Sequence, residues 1–407
     1  MGTENLPQRA ARLEKYLELD PTNAQLVREL AECQHRSGNQ ERALELFDRL
    51  AELSGESAAV LNGKGSALLA LGRWQEAAEV LAKAVAQDSS AGALLFNLGY
   101  AQLAAGASKE AVASLARAVQ LGTDDPRIRY HLALAYEDVG DSENAESELA
   151  RVIAADPSHH DALALSTHIQ MAKGQLDRAR KTLEQMLARH PTSSEAYRLR
   201  GQIEMLNFDA AAALEHLRRA RDLSPDDASV LAAIGQANLM LHRAKPAKAA
   251  LQRAVELEPE SPIHQIALGW AHLFEDATTD AERCFSEALR LDSELADGHA
   301  GLALIYLARD DVAKAVTALE TAKRLDPANI VALLVESALA QKQGNPEVGR
   351  QVMQELFQTK SAHSFAWSNN ELANAAGRSP TAQRVARKWA RFIKKKRMQG
   401  SVERKSE

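Results

Sequence analysis

A strict 34-residue period runs through the sequence. Small and large apolar residues return at the same phase from Ala24 to about Thr359, without insertion or deletion, through ten units. The clearest unit, Ala296 to Asn329, reads ADGHAGLALIYLARDDVAKAVTALETAKRLDPAN. Leu302, Ala303 and Tyr306 form one stripe at helical spacing, and Ala315, Leu319 and Ala322 form a second. Arg309-Asp310-Asp311 lies between them as a tight turn. Asp326-Pro327 ends the second stripe, because proline disfavours helix in the residue before it and has no N–H to donate. Each unit is therefore a hairpin of two amphipathic helices. Two short helices cannot bury their apolar faces alone, so each hairpin requires neighbours. The period predicts an all-α stack that grows by addition and needs no single central core.

Residue size keeps the phase. The first helix carries a small residue at its eighth position, as Gly65, Gly99, Ala133, Gly201, Gly235, Gly269 and Ala303, with Thr167 and Ser337 as variants. The second helix opens on alanine from Ala43 to Ala315, and four residues later comes leucine or phenylalanine, such as Leu81, Leu217 and Phe285. Small residues suit places where two helix axes approach closely; large ones fill the gap to the next hairpin. This pattern resembles the tetratricopeptide repeat over more than four fifths of the chain. The resemblance implies a right-handed superhelical solenoid of about ten helix-turn-helix repeats, with capping helices at both ends, acting as a scaffold for other proteins. The turn glycine is present as Gly38, Gly72, Gly106, Gly140, Gly174 and Gly344. Phe208, His242, Asp276 and Asp310 replace it in units six to nine, so those turns are expected to differ locally.

In chain order, residues 1–23 read as an N-terminal capping helix, roughly Leu6 to Leu19, and residues 24–360 as the ten repeats. Residues 361–399 read as a degenerate eleventh repeat with Trp367 in its first helix and Ser379-Pro380 opening its last. Residues 400–407 are expected to be a disordered tail. Aromatics are only 4% of the chain, so Ala and Leu must supply the packing. Cys33 and Cys284 lie on distant units without metal-ligand companions, which excludes a disulfide framework and points to a reducing cytosol. The N-terminus lacks the apolar run of a signal peptide, and no stretch has the apolar length to span a membrane. A net charge of −6 offers no bulk reason to bind nucleic acid. There is no Gly-rich phosphate loop, no strand and no triad-like context, and the twelve histidines are scattered, with His159-His160 at a unit boundary. Neither catalysis, a cofactor nor a metal is expected.

Residues of a helix turn by about 100° each. In the first helix, positions 4, 7, 8 and 11 therefore face the second helix, and positions 2, 5, 9, 12 and 13 point the other way. In the family this second side lines a concave groove that binds peptides. Here it is unusually apolar, with Phe96 and Tyr100 beside Asn97 in unit three, His168 and Met171 in unit five, and Met205 and Met240 in units six and seven. Ile266, Trp270, Leu273 and Phe274 follow in unit eight and Leu304 in unit nine, while Arg127, Tyr130 and His131 interrupt the run in unit four. Two readings stand: a core buried by neighbouring first helices or a dimer, or a groove for an amphipathic or extended protein segment. On the groove reading Trp270 is partly exposed in the free protein and dominates binding. The family's carboxylate clamp is not expected. Asn97, Arg127 and His131 stand at three of its positions, but Asn62 and Ser66 replace its leading lysine and an asparagine.

Between Ser379 and Gln399 lie Arg384, Arg387, Lys388, Arg391, Lys394, Lys395, Lys396 and Arg397 with no acid; without these eight charges the remainder carries −14. Val385, Trp389, Phe392 and Ile393 line the same helix. This basic amphipathic helix is either a soluble cap on the stack or a site for an anionic membrane surface or acidic partner. The whole suggests a non-catalytic cytoplasmic scaffold or chaperone-like adaptor, of bacterial composition, for apolar protein segments, with a role in bacterial secretion or surface-structure assembly as its narrower form. The rival is a regulatory or substrate-recruiting subunit of a separate enzyme such as a transferase.

Overall fold

The computed structural model describes residues 5–122, 125–345 and 347–352. Helices and short turns account for them, with no strand among the described residues. The chain divides into two compact units, Met1–Lys173 and Gly174–Glu407. The first holds α1 (Leu6–Leu19), α2 (Ala24–Arg36), α3 (Gln40–Ser54), α4 (Ala58–Ala70), α5 (Trp74–Gln87), α6 (Gly92–Ala104), α7 (Ser108–Gln120), α8 (Pro126–Asp138), α9 (Ser142–Ala155) and α10 (His160–Ala172). The second holds α11 (Leu176–Arg189), α12 (Ser194–Leu206), α13 (Ala210–Leu223), α14 (Ala228–Met240), α15 (Ala244–Leu257), α16 (Pro262–Phe274), α17 (Thr278–Leu291), α18 (Ala296–Ala308), α19 (Val312–Leu325) and α20 (Ile330–Lys342). Within each unit helices adjacent in the chain pack on one another, and the first helices α4, α6 and α8, and α12, α14, α16, α18 and α20, touch in succession as well. The fold is the all-helical repeat stack that the period predicts.

Local chemistry sets the ends of these helices. Asn23, Ser57, Ser193, Asp227 and Asn329 accept backbone N–H bonds as N-caps of first helices. The aspartate closing a second helix acts with or without a following proline. The carboxylates of Asp88, Asp156, Asp292 and Asp326 each accept from the N–H two residues on, at 2.9–3.0 Å.

The small eighth position is a steric requirement. A Cβ on Gly65 would lie 2.5 Å from Leu81 Cγ, and one on Gly269 2.8 Å from Phe285 Cε1. Thr167 and Ser337 fit there by turning their hydroxyls onto the Leu163 and Gly349 carbonyls, at 2.8 and 3.0 Å.

The turns of units six to nine do not differ as expected. Phe208, His242, Asp276 and Asp310 adopt φ of 62°, 60°, 59° and 69°, in the left-handed region that Gly38 and Gly140 occupy at 82° and 81°. The hydrogen bond that closes the turn is also the same. Asp209, Arg243, Ala277 and Asp311 donate to carbonyls five residues back at 2.9 Å, as Asn39 does to Gln34. Hairpin packing dictates this Schellman-type geometry, and the four side chains accept its backbone strain.

Candidate functional site

Five rings from two successive repeats meet in the first unit. Phe96 and Tyr100 lie one turn apart on α6 with centroids 6.4 Å apart and planes 29° apart. His131 of α8 stacks on both, 5.6 Å from Phe96 at 16° and 5.0 Å from Tyr100 at 38°. Tyr130 continues the run, 5.5 Å from His131 and 5.3 Å from His159, the N-cap of α10. Phe96, Tyr100, Tyr130, His131 and His159 are all half-buried. Beside them the Asn97 amide donates to Asn62 Oδ1 at 2.8 Å. The first-helix stripe thus brings together five of the residues it predicts for the groove: Phe96, Asn97, Tyr100, Tyr130 and His131. It misses His159, the last position of its repeat, where counting along first helices does not reach; the His159-His160 pair is the only signal.

The electrostatics separate Arg127 from this face. Its side chain is 75% exposed and its guanidinium pairs with Asp125 at 2.6 Å, which holds that carboxyl below its ordinary range and raises the Arg127 pKa. His131 titrates below an ordinary histidine, first because it is buried and second because Arg127 repels a charge there. Its Nδ1 has no hydrogen-bond partner among the described residues. A neutral imidazole packed among aromatic rings keeps this face apolar and aromatic, suited to side chains of the same kind.

In the second unit the predicted groove around Trp270 is core. Trp270 is only 7% exposed and meets Phe285 edge-on, with centroids 5.0 Å apart and planes 69° apart. Ile266, Leu273 and Leu304 are buried in the same cluster, with Phe274 packed against it. Two features bury this face. Phenylalanine replaces leucine at position 285 and reaches the indole from the hairpin's second helix. The first helices α14, α16 and α18 also pack on one another. Of the α16 stripe, Ile263 opens widely to solvent, at 62%. Met205 and Met240 are half-buried on α12 and α14, while in the first unit His168 is exposed and Met171 half-buried on α10.

Cys33 and Cys284 are free and buried, and burial pushes the Cys284 thiol up to about 11. No group of acid, His and Cys side chains among the described residues is arranged to hold a metal, and no described helix is long and apolar enough to cross a membrane. The basic segment Arg384 to Arg397, with Trp389, lies outside the described residues.

Family models of the tetratricopeptide repeat match residues 136–203 and residues 4–58, 62–126 and 275–330, together more than half of the chain. No curated protein sequence matches it. Among solved structures, a tetratricopeptide repeat protein from Parabacteroides merdae has a TM-score of 0.52 at 19% identity, covering 58% of this chain and 93% of its own. Yeast Tom70 has a TM-score of 0.42 at 15% identity, over 97% of this chain and 93% of its own. PilF of Pseudomonas aeruginosa has 0.41 at 20%, over 50% and 94%. The likeness to the first of these is one of fold. Helix hairpins at a 34-residue period and repeat models matched over more than half the length lead to one conclusion: this chain belongs to the tetratricopeptide repeat family.

Proposed function

We propose that the chain is a non-catalytic scaffold or chaperone-like adaptor, and that it takes an apolar or amphipathic protein segment on the aromatic and histidine face of its first unit. The observation that carries this reading is the continuous run Phe96–Tyr100–His131–Tyr130–His159, half-buried and contributed by two successive repeats. Aromatic rings already held by neighbours bury large area in a complex at small entropic cost, which is why such residues dominate interfaces. Family membership supports a protein-binding role in general. The free thiols Cys33 and Cys284 suit the reducing cytosol in which this reading places the protein.

The test begins with affinity capture of partners by the full chain and their identification by mass spectrometry. A titration of the purified partner follows, using intact protein and Tyr100→Ala. Loss of the central ring is expected to weaken binding about thirtyfold, about 2 kcal/mol, while the helical circular-dichroism signal is kept. A folded Tyr100→Ala protein that binds with unchanged affinity removes this face as the site. A single enzyme captured at fixed stoichiometry would instead favour the recruiting-subunit reading.

A further inference from the structure

The seams between hairpins carry a second pattern that the hydrophobic repeat does not require. One residue of each seam is position 21 of a repeat, in the second turn of its second helix. The other is position 14 of the next repeat, the C-cap of its first helix, 27 residues later. In the first unit these pairs are Leu44 with Leu71, Ala78 with Ala105, Val112 with Val139, and Glu146 with Lys173. In the second unit Leu214 is followed by Leu241, Lys248 by Glu275 and Glu282 by Arg309. Like sits with like, or charge with opposite charge. Arg180 has Asn207 at the paired position but reaches Glu204 one turn earlier, at 3.7 Å; Val316 with Gln343 is the unmatched seam.

The charged pairs are made in space. Lys173 Nζ lies 2.6 Å from Glu146 Oε2, and Lys248 pairs with Glu275 and Arg309 with Glu282. Each pair sits partly out of water, as Lys248 and Glu275 do with side chains 31% and 20% exposed. The apolar seam is filled as well: Leu214 is buried and Leu241 packs against its cluster. Local helix preference does not explain these choices. A C-cap lies at the negative end of the helix dipole, which suits Lys173 and Arg309 but disfavours Glu275. Glu275 is understood only with Lys248 opposite.

We infer that this residue pair is a stacking code: it lets a hairpin accept its neighbour in sequence and reject others. The hydrophobic positions do this at two seams only, where Phe47 and Phe285 require the glycines Gly63 and Gly301 of the next hairpin; elsewhere the same alanines and leucines recur and would accept any hairpin. If repeat eight were bypassed, Lys248 would face Arg309 and like charges would meet. A charge set against an apolar C-cap would lose its solvation without a partner. Misassembly is a characteristic failure of repeat proteins, and a seam that penalises wrong neighbours guards against it. The order matters to the surface, since the first unit's ring run exists only when its two repeats stack in sequence.

Hydrogen exchange on the full chain tests this at the Lys248–Glu275 seam. Lys248→Glu and Glu275→Lys alone are each expected to speed exchange of α16 amides about tenfold, and the double swap to restore it to within about twofold. The matched apolar pair Lys248→Leu with Glu275→Leu, copying the Leu214–Leu241 seam, should protect α16 as well as the intact chain, while Lys248→Leu alone should not. Single changes that leave exchange unaltered, or matched doubles that fail to recover, overturn the code. Should a reversal prevent folding, the Lys248→Leu single against its matched double separates the same two outcomes without like charges.

Discussion

Trp270 is held from two sides, by Phe285 of its own hairpin and by the cluster containing Ile266 and Leu304. Truncating it removes a large apolar ring from a site walled by buried side chains of packed helices. Trp270→Ala is therefore expected to cost about 3–5 kcal/mol of stability, read as a lower midpoint in denaturant followed by circular dichroism. An unchanged midpoint would return the ring to the surface. Tyr100 occupies the same ninth position of its repeat but is half-buried. The two substitutions should separate: one destabilises the fold, the other weakens a partner. Position in the repeat is legible from sequence for both residues, whereas exposure is not.

At the scale of the element, the turns report how much strain a hairpin absorbs. Gly140 has φ of 81° and open space where a Cβ would stand, so Gly140→Ala tests backbone strain alone; a loss of about 1 kcal/mol is expected. Phe208 is the reverse case, a bulky residue at φ 62° that is 40% exposed. Phe208→Gly is expected to raise the thermal midpoint by a few degrees, equivalent to about 0.5–1 kcal/mol, because relief of the left-handed strain outweighs glycine's added freedom when unfolded. A lower midpoint would mean that packing of the Phe208 ring exceeds the strain. Loss of the glycine suggests altered turns in units six to nine. The backbone is nevertheless the same there, because the five-residue hydrogen bond and the helix pair on either side impose it, and these outweigh one residue's preference.

For the molecule as a whole, four histidines share one direction of shift. Burial pushes His131 in the first unit, and His216, His264 and His272 in the second, below the ordinary value of 6.5. Glu258, 3.6 Å from His264, acts in the opposite sense, but burial is the larger effect. A depressed folded pKa means that the unfolded chain takes up protons first as pH falls. The contribution of these groups is complete above about pH 6.5 and declines as pH drops through their folded values. Stability is thus expected to fall between about pH 7 and pH 5, and His264→Gln with His272→Gln should flatten the slope seen in denaturant melts across that range. An unchanged slope would place these two rings in water. Periodicity, helix ends, the turns that keep their glycine and the small-on-large contact between paired helices were determined by the sequence alone, because each depends on residues a few positions apart or one hairpin away. Tertiary structure alone decided which first-helix faces meet solvent. Phe96 and Tyr100 hold the same fifth and ninth positions as Ile266 and Trp270, and all four are apolar or aromatic. The first pair stays half-open beside the Leu115 hairpin, whereas the second is sealed, with Phe285 against Trp270. Burial depends on the size and direction of neighbouring side chains on other helices, which no pattern within one helix contains.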